Sequence, residues 1–342
     1  MELAHRIPRA PERVVYAAAV LLAGLIGIVH PTQGFPGALG EDVPTAQTAV
    51  DPVAWPADSL TIETLGHATL LMNYFGVRVI SDPTLFERIG LSFDSLFTIG
   101  LHRLTPPPLK PAQLQTIDLI LITHAHMDHL DLPSLEALPK NAVVIACAGC
   151  GDLIRPLGFA DVRELKWGEH TAVKGLTVAA MGARHWGKRW PPYGRTYGYN
   201  SYVLEKDGHR MLLACDSAWT DLFAPLHENP PEVAAFSIGA YDPWIWNHAD
   251  PEEVWTMFRE TGARYLVPLH WGTFRLSKEP WDEPLRRLLA AAGSQASEVV
   301  LRGIGLAWTM PPAAVKQAGL GESHTTRLAV SGSRFPTRPG QP

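Results

Sequence analysis

Apolar residues fall in short blocks rather than in a sustained helical period. Leu60–Thr64, Thr69–Tyr74 and Arg78–Ser81 are apolar-rich segments punctuated by Gly66 and Gly76, which predicts an opening meander of strands with glycine turns. Ile117–Thr123 and Ala142–Ala146 run apolar without alternation, as strands covered on both faces do. Leu176–Met181, Ser201–Leu204 and Met211–Ala214 form a second set, completed by Val233–Ile238, Tyr265–Leu269 and Val299–Arg302. A helix is expected after Asp250-Pro251-Glu252-Glu253: Asp250 caps, Pro251 suits the first turn and Glu253 closes a capping box before Val254–Glu260. Glu283–Ala292 reads as another helix. Two sets of strands with intervening helices predict an α/β body over residues 59–310, built as two packed sheets covered by helices.

The flanks differ from this body. Arg6, Arg9 and Arg13 precede Val14–Val29, an uncharged and almost uninterrupted apolar run broken by Pro31, Gly34, Pro36 and Gly37. Residues 1–30 therefore read as an export signal or a membrane anchor. The lack of a clean small-residue cleavage site favours the anchor, with membrane association through 14–29. The positive-inside rule would then place the rest of the chain on the non-cytoplasmic side. Residues 31–58, rich in Pro, Gly and Ala, suit a linker, and 311–342 a disordered tail.

Composition narrows the function. With 46% apolar and 18% charged residues the chain can bury a sizeable core. A formal charge of −5 and the absence of a Lys/Arg run argue against a duplex nucleic-acid partner. Three cysteines are too few for a disulfide framework; Cys147 and Cys150 read as ordinary residues of a strand end and the turn after it, with a redox pair or an exported disulfide as the alternatives.

The candidate chemistry lies where apolar runs stop. Ile117–Thr123 ends in His124-Ala125-His126-Met127-Asp128-His129; the run to Ala183 ends near His185, Met211–Cys215 in Asp216, and Tyr265–Leu269 in His270. Burying so many ionisable groups is costly unless a metal or a charge partner offsets it. On an extended exit from a strand, His124 and His126 point to one side and can grip one ion, while Asp128 and His129 face a second. Asp216, with two carboxylate oxygens to share, is the expected bridge. The first ion would take His124, His126, His185 and Asp216; the second would take Asp128, His129, His270 and Asp216. His plus carboxylate ligands suit two zinc ions best, with iron or manganese as alternatives. His102, His170, His209 and His227, each isolated, read as surface residues.

This H-x-H-x-D-H run, with His185, Asp216 and His270, resembles the metallo-β-lactamase superfamily over about Leu60 to Met310, with Leu65-Gly66-His67-Ala68-Thr69 and Ser81-Asp82-Pro83 similar to its opening strands. The resemblance implies a four-layer αββα sandwich with a dinuclear zinc site along one edge. Gly182–Arg189, Ile238–Pro243, His248–Glu253 and Leu269–Phe274 are similar to the branch of phospholipases D that hydrolyse N-acyl-phosphatidylethanolamine. The chain departs from that branch around Trp190–Tyr199 and in its N-terminal apolar run.

Two metals in such a site lower the pKa of a bridging water toward neutrality, giving a hydroxide nucleophile. Asp128 would orient that nucleophile. His248, placed by the resemblance beside the substrate phosphate, would as an imidazolium steady charge or protonate the leaving oxygen. Six tryptophans, Trp186, Trp190, Trp219, Trp244, Trp246 and Trp271, lie close to these segments; Trp244-Ile245-Trp246 is the one group expected to touch acyl chains. No G-x-S-x-G elbow supports a serine mechanism. The leading expectation is a phosphodiesterase acting on a phospholipid. A lactonase or other carbonyl hydrolase comes next, and a non-enzymatic, membrane-tethered metal-binding protein last.

Overall fold

The computed structural model describes residues 52–93, 97–189 and 195–312. The apolar run 14–29, most of the 31–58 linker, nearly all of the 311–342 tail and Trp190 lie outside them. Among the described residues no helix is long and apolar enough to cross a membrane.

The first sheet contains β1 (Leu60–Gly66), β2 (Thr69–Tyr74), β3 (Val77–Ser81), β6 (Leu119–Ile122), β7 (Val143–Cys147), β8 (Asp161–Leu165) and β15 (Ala307–Thr309), in the order β15-β1-β2-β3-β6-β7-β8. The second contains β9 (His170–Val173), β10 (Leu176–Met181), β11 (Ser201–Lys206), β12 (His209–Cys215), β13 (Val233–Ser237) and β14 (Tyr265–Leu269), in the order β14-β13-β12-β11-β10-β9. Each sheet is mixed. β3, β6, β7 and β8 pair in parallel, as do β12, β13 and β14, so their carboxyl ends gather on shared rims.

Between the sheets, Ile62, Met72, Leu119 and Leu121 pack against Val178, Leu204, Leu213 and Val267. On the outer face of the first sheet, Ile120, Ile122 and Val144 lie in a cluster with Leu135 and Ile154, from α1 (Leu132–Glu136) and α2 (Gly151–Ile154). On the outer face of the second sheet, Leu212, Ala234 and Phe236 meet Val254, Phe258 and Leu288, from α3 (Pro251–Thr261) and α4 (Glu283–Ala292). The result is the expected αββα sandwich. It also explains the unbroken apolar run of β6, whose residues alternate between the inter-sheet core and the helix-covered face.

Helix α3 begins as expected. The Asp250 carboxylate accepts the Glu253 N–H at 2.9 Å, and the Glu253 carboxylate accepts the Asp250 N–H at 3.1 Å. The strand expected over Val299–Arg302 does not form. Val299 makes a single bridge to Leu266, then Leu301 adopts a left-handed backbone (φ 56°) that turns the chain away. The closing strand is β15, antiparallel to β1. A two-stranded ribbon, β4 (Arg88–Phe93) with β5 (Phe97–His102), belongs to neither sheet and exposes Phe97, Ile99 and Leu101. Cys147 ends β7 and Cys150 precedes α2; both are buried free thiols, 2.7 Å apart.

Candidate metal centre

The carboxyl ends of β6, β10, β12 and β14 deliver the candidate residues to one rim of the sandwich. All seven sequence-predicted ligands converge there in two groups. In the first, His124 Nε2 lies 2.8 Å from His126 Nδ1, and His185 Nε2 lies 3.3 Å from the same nitrogen. Asp216 Oδ2 stands 3.8 Å from His124 Nε2 and 3.9 Å from His185 Nε2. In the second, Asp216 Oδ2 is 3.0 Å from His129 Nε2 and 3.3 Å from His270 Nε2. Asp128 Oδ2 is 3.6 Å and 3.4 Å from the same two nitrogens.

These spacings fit metal binding. Zinc–nitrogen bonds of ~2.0–2.1 Å imply roughly 3.3 Å between the ligand atoms of a tetrahedron, which the second group approaches. Two nitrogens of the second group are also otherwise unused: His129 Nε2 and His270 Nε2 are buried without a hydrogen-bond partner. A cation answers for the inward-facing ones where no donor does.

The sharing at Asp216 differs from the expectation of one oxygen per ion. Oδ1 accepts the Ser237 hydroxyl at 2.6 Å, and Oδ2 alone faces both groups. Ser237 ends β13, so the neighbouring strand fixes the carboxylate.

Backbone and side-chain partners orient the rings, as outer-shell groups do for metal-ligating imidazoles. His129 Nδ1 meets Asp82 Oδ2 at 2.8 Å, which leaves Nε2 facing the centre. His185 Nδ1 donates to Asn247 O at 3.0 Å, and His124 Nδ1 sits 3.0 Å from Thr123 Oγ1. Asp82 also accepts from the Thr123 N–H (2.8 Å) and hydroxyl (2.6 Å). The Cys215 thiol lies 3.1 Å from Asp82 Oδ2.

Sequence reasoning missed Asp82, Ser237 and His67 as site residues. Asp82 carries the same signal as the others, an ionisable residue directly after an apolar strand. His67, in the β1–β2 turn, places Nε2 at 2.9 Å from Asp128 Oδ2.

The charges of these side chains balance within the centre. Burial opposes the charge on Asp128 and Asp216, but His129 and the other imidazoles around them hold both carboxyls well below the usual range. Burial also opposes charge on His129 and His270, yet Asp216 and neighbouring acidic groups outweigh it. His129 stays well above its ordinary value, and His270 is pushed up to about 9. Burial takes His126, His67 and His248 down to about 3 and lowers His124 and His185. Two carboxylates thus face two imidazoliums among neutral imidazoles.

A cavity of about 590 Å³ opens onto the centre, lined by Asp128, Asp216 and His248 together with Met127, Trp186 and Trp244. Lys188 also lines it. The Trp186 and Trp244 rings meet edge to face at 6.0 Å. Trp244 and Ile245 are partly exposed, and Trp246 is 74% exposed. A second cavity, about 430 Å³, reaches His270 from the side of Phe274 and Trp281.

With this geometry the comparisons with known proteins agree. A family model described as a β-lactamase superfamily domain matches residues 90–271. The chain belongs to the metallo-β-lactamase superfamily. An uncharacterized protein of Mycobacterium tuberculosis is 35% identical over 246 residues, 69% of this chain and 65% of that protein's length. An N-acyl-phosphatidylethanolamine-hydrolyzing phospholipase D of Caenorhabditis elegans is 30% identical over 243 residues, 66% of this chain and 67% of that one. The match to these relatives thus spans about two thirds of their length. Among solved structures, a possible metal-dependent hydrolase of Veillonella parvula has a TM-score of 0.59 at 18% identity, covering 74% of this chain and 100% of that one. That likeness is one of fold.

Proposed function

We propose that this protein is a metal-dependent hydrolase, a two-metal phosphodiesterase of the phospholipase D type acting on lipids like N-acyl-phosphatidylethanolamine. The observation that carries the reading is the amphipathic cavity: the two ligand groups, Lys188 and His248 meet a wall of Met127, Trp186 and Trp244. A phosphodiester between apolar chains presents the matching chemistry. The 30% identical phospholipase D of Caenorhabditis elegans supports the same substrate class.

His124, His126, His185 and Asp216 would hold one ion and Asp128, His129, His270 and Asp216 the other, with zinc the metal best suited to the donors. Ions bound there supply an activated water and neutralise charge on the phosphoryl group. The chain's own residues do the rest. Asp128 accepts a hydrogen bond from the attacking water and orients it toward phosphorus. His248, kept near 3 by burial, is a neutral imidazole in the free site rather than the imidazolium expected from sequence. It therefore offers a ring N–H to a phosphoryl or leaving oxygen. Its Nδ1 is buried without a partner, 4.0 Å from Asp216 Oδ2. Lys188 attracts the diester anion. Trp244, Ile245 and Trp246 form the lip along which acyl chains enter, and an anchor at residues 14–29 would hold that lip beside a bilayer on the non-cytoplasmic side.

Water attacks phosphorus, the bond to the N-acylethanolamine oxygen breaks, and that oxygen takes a proton. Phosphatidic acid and N-acylethanolamine are the products. Purified protein loaded with zinc should hydrolyse N-acyl-phosphatidylethanolamine and bis(p-nitrophenyl) phosphate, and His126→Ala should abolish both activities. Turnover of a lactone panel without either diester would favour the carbonyl-hydrolase reading. Full hydrolysis and metal content in His126→Ala would sink the two-metal site.

A further inference from the structure

We infer that His67 is a positioning residue for the second metal site, holding the Asp128 carboxylate in its ligating orientation through the hydrogen bond from Nε2. The inference rests on the two-metal reading above and adds a residue that its ligand set does not contain. Asp128 sits in the exit loop of β6, with its side chain 15% exposed, and its nearest polar neighbour is His67 Nε2 at 2.9 Å. The two other imidazoles near Oδ2 are farther away, His270 at 3.4 Å and His129 at 3.6 Å. Among the described residues no other side-chain donor stands at ordinary hydrogen-bond length from that oxygen.

The fold spends strain to put this imidazole there. His67 has φ 55°, a left-handed backbone that non-glycine residues rarely adopt. The conformation is pinned on both sides: the His67 N–H donates to Thr273 Oγ1 at 2.6 Å, and the His67 carbonyl accepts the His270 N–H at 2.9 Å. Thr273 in turn donates to Trp271 O at 3.1 Å. The β1–β2 turn is therefore tied to the loop after β14 that carries ligand His270, itself left-handed at φ 64°. Gly66 permits the approach, because a Cβ there would lie 2.3 Å from Arg103 Nη2. That guanidinium is held by the Leu65, Thr84 and Thr105 carbonyls. The His67 ring is wedged against His270 (4.0 Å between centroids) and Phe274 (5.3 Å), so it cannot swing away from Asp128.

Ligating carboxylates are oriented by such outer partners, whose loss typically weakens metal binding ~10–100-fold. The test is a competition titration of zinc against a chelator, with bound metal counted directly. Two variants are compared with wild type: His67→Gly, which suits the left-handed backbone, and His67→Gln, whose amide nitrogen can reach where Nε2 stands. Wild type should bind two ions. His67→Gly should bind one of the two ions about 10–100-fold less tightly with the other unchanged, and His67→Gln should return to within about threefold of wild type. Wild-type affinity for both ions in His67→Gly would overturn the inference. Failure of His67→Gln to rescue would also overturn it, pointing to a direct ligand or a packing role. A wild type that binds one ion would remove it together with the two-metal reading. Lipid hydrolysis does not enter the readout, so a failed lipid assay beside these metal results would count against the substrate alone.

Discussion

Metal uptake at this centre should expel protons, and should do so at one site only. In the metal-free protein His129 and His270 are held above their ordinary value by Asp216 and its acidic neighbours, His270 at about 9, while His124, His126 and His185 are lowered by burial. At pH 7.5 the second group therefore carries two imidazoliums, and the first group carries neutral rings. An ion entering the second group displaces about two protons from its imidazoles; an ion entering the first displaces about none from its own. Each proton makes affinity change ~1.4 kcal/mol per pH unit. Lowering pH from 7.5 to 6.5 should thus weaken the second ion about 100-fold, or ~2.7 kcal/mol, and leave the first nearly unchanged. Calorimetric zinc titrations in buffers of different ionisation enthalpy read the proton count directly, and a pH series gives the slopes. Equal pH dependence for the two ions, or no proton release at pH 7.5, would refute this balance of charges. His270 also stabilises the fold without metal: its contribution is full below its unfolded pKa near 6.5 and is lost as pH rises through about 9.

Glu63 provides an independent pH test away from the ligands. Its carboxyl is fully buried without a hydrogen-bond partner, and burial pushes it up to about 7 from 4.5. The folded state then holds a proton that the unfolded chain loses. Stability should fall by roughly 2–3 kcal/mol between pH 4.5 and 7. Glu63→Gln should remove most of that fall in urea denaturation; identical pH profiles for the two proteins would contradict it. His248→Ala should lower kcat on N-acyl-phosphatidylethanolamine by about 100-fold or more with zinc content unchanged; unchanged turnover would remove His248 from the reaction. Trp246→Ala should weaken binding to phospholipid vesicles by roughly 10-fold, equivalent to ~1.4 kcal/mol of apolar burial, while bis(p-nitrophenyl) phosphate turnover stays constant. Equal losses on both substrates would mean that Trp246 shapes the centre rather than the lip.

The inner strands are legible in the sequence because they are covered on both faces. β6 alternates between two cores, so its composition is apolar throughout and its end at the histidine run is unmistakable. Helix α3 is legible for a different reason, since its capping box is written in four consecutive residues. The β4–β5 ribbon is not legible. It belongs to neither sheet and, although Ile89 is buried, exposes Phe97, Ile99 and Leu101, so its apolar positions do not mark a buried face. The Val299–Arg302 segment looks apolar because Val299 and Leu301 are buried, yet a left-handed turn rather than a strand buries them. In the site, the ligand groups follow from strand ends. His67, Asp82 and Ser237 act through partners 61, 47 and 21 residues away, separations that no local spacing encodes. The division of labour within Asp216, one oxygen for Ser237 and one for both groups, is likewise a property of β13 lying beside β12.

At the centre of the proposed chemistry an activated water attacks phosphorus. Hydrolysis of N-acyl-phosphatidylethanolamine by the zinc-loaded protein in ¹⁸O-labelled water tests this step most directly, with both products analysed by mass spectrometry. Attack at phosphorus places one ¹⁸O atom in phosphatidic acid and none in N-acylethanolamine. Label in a released fatty acid, or no turnover by protein carrying both ions, would contradict it.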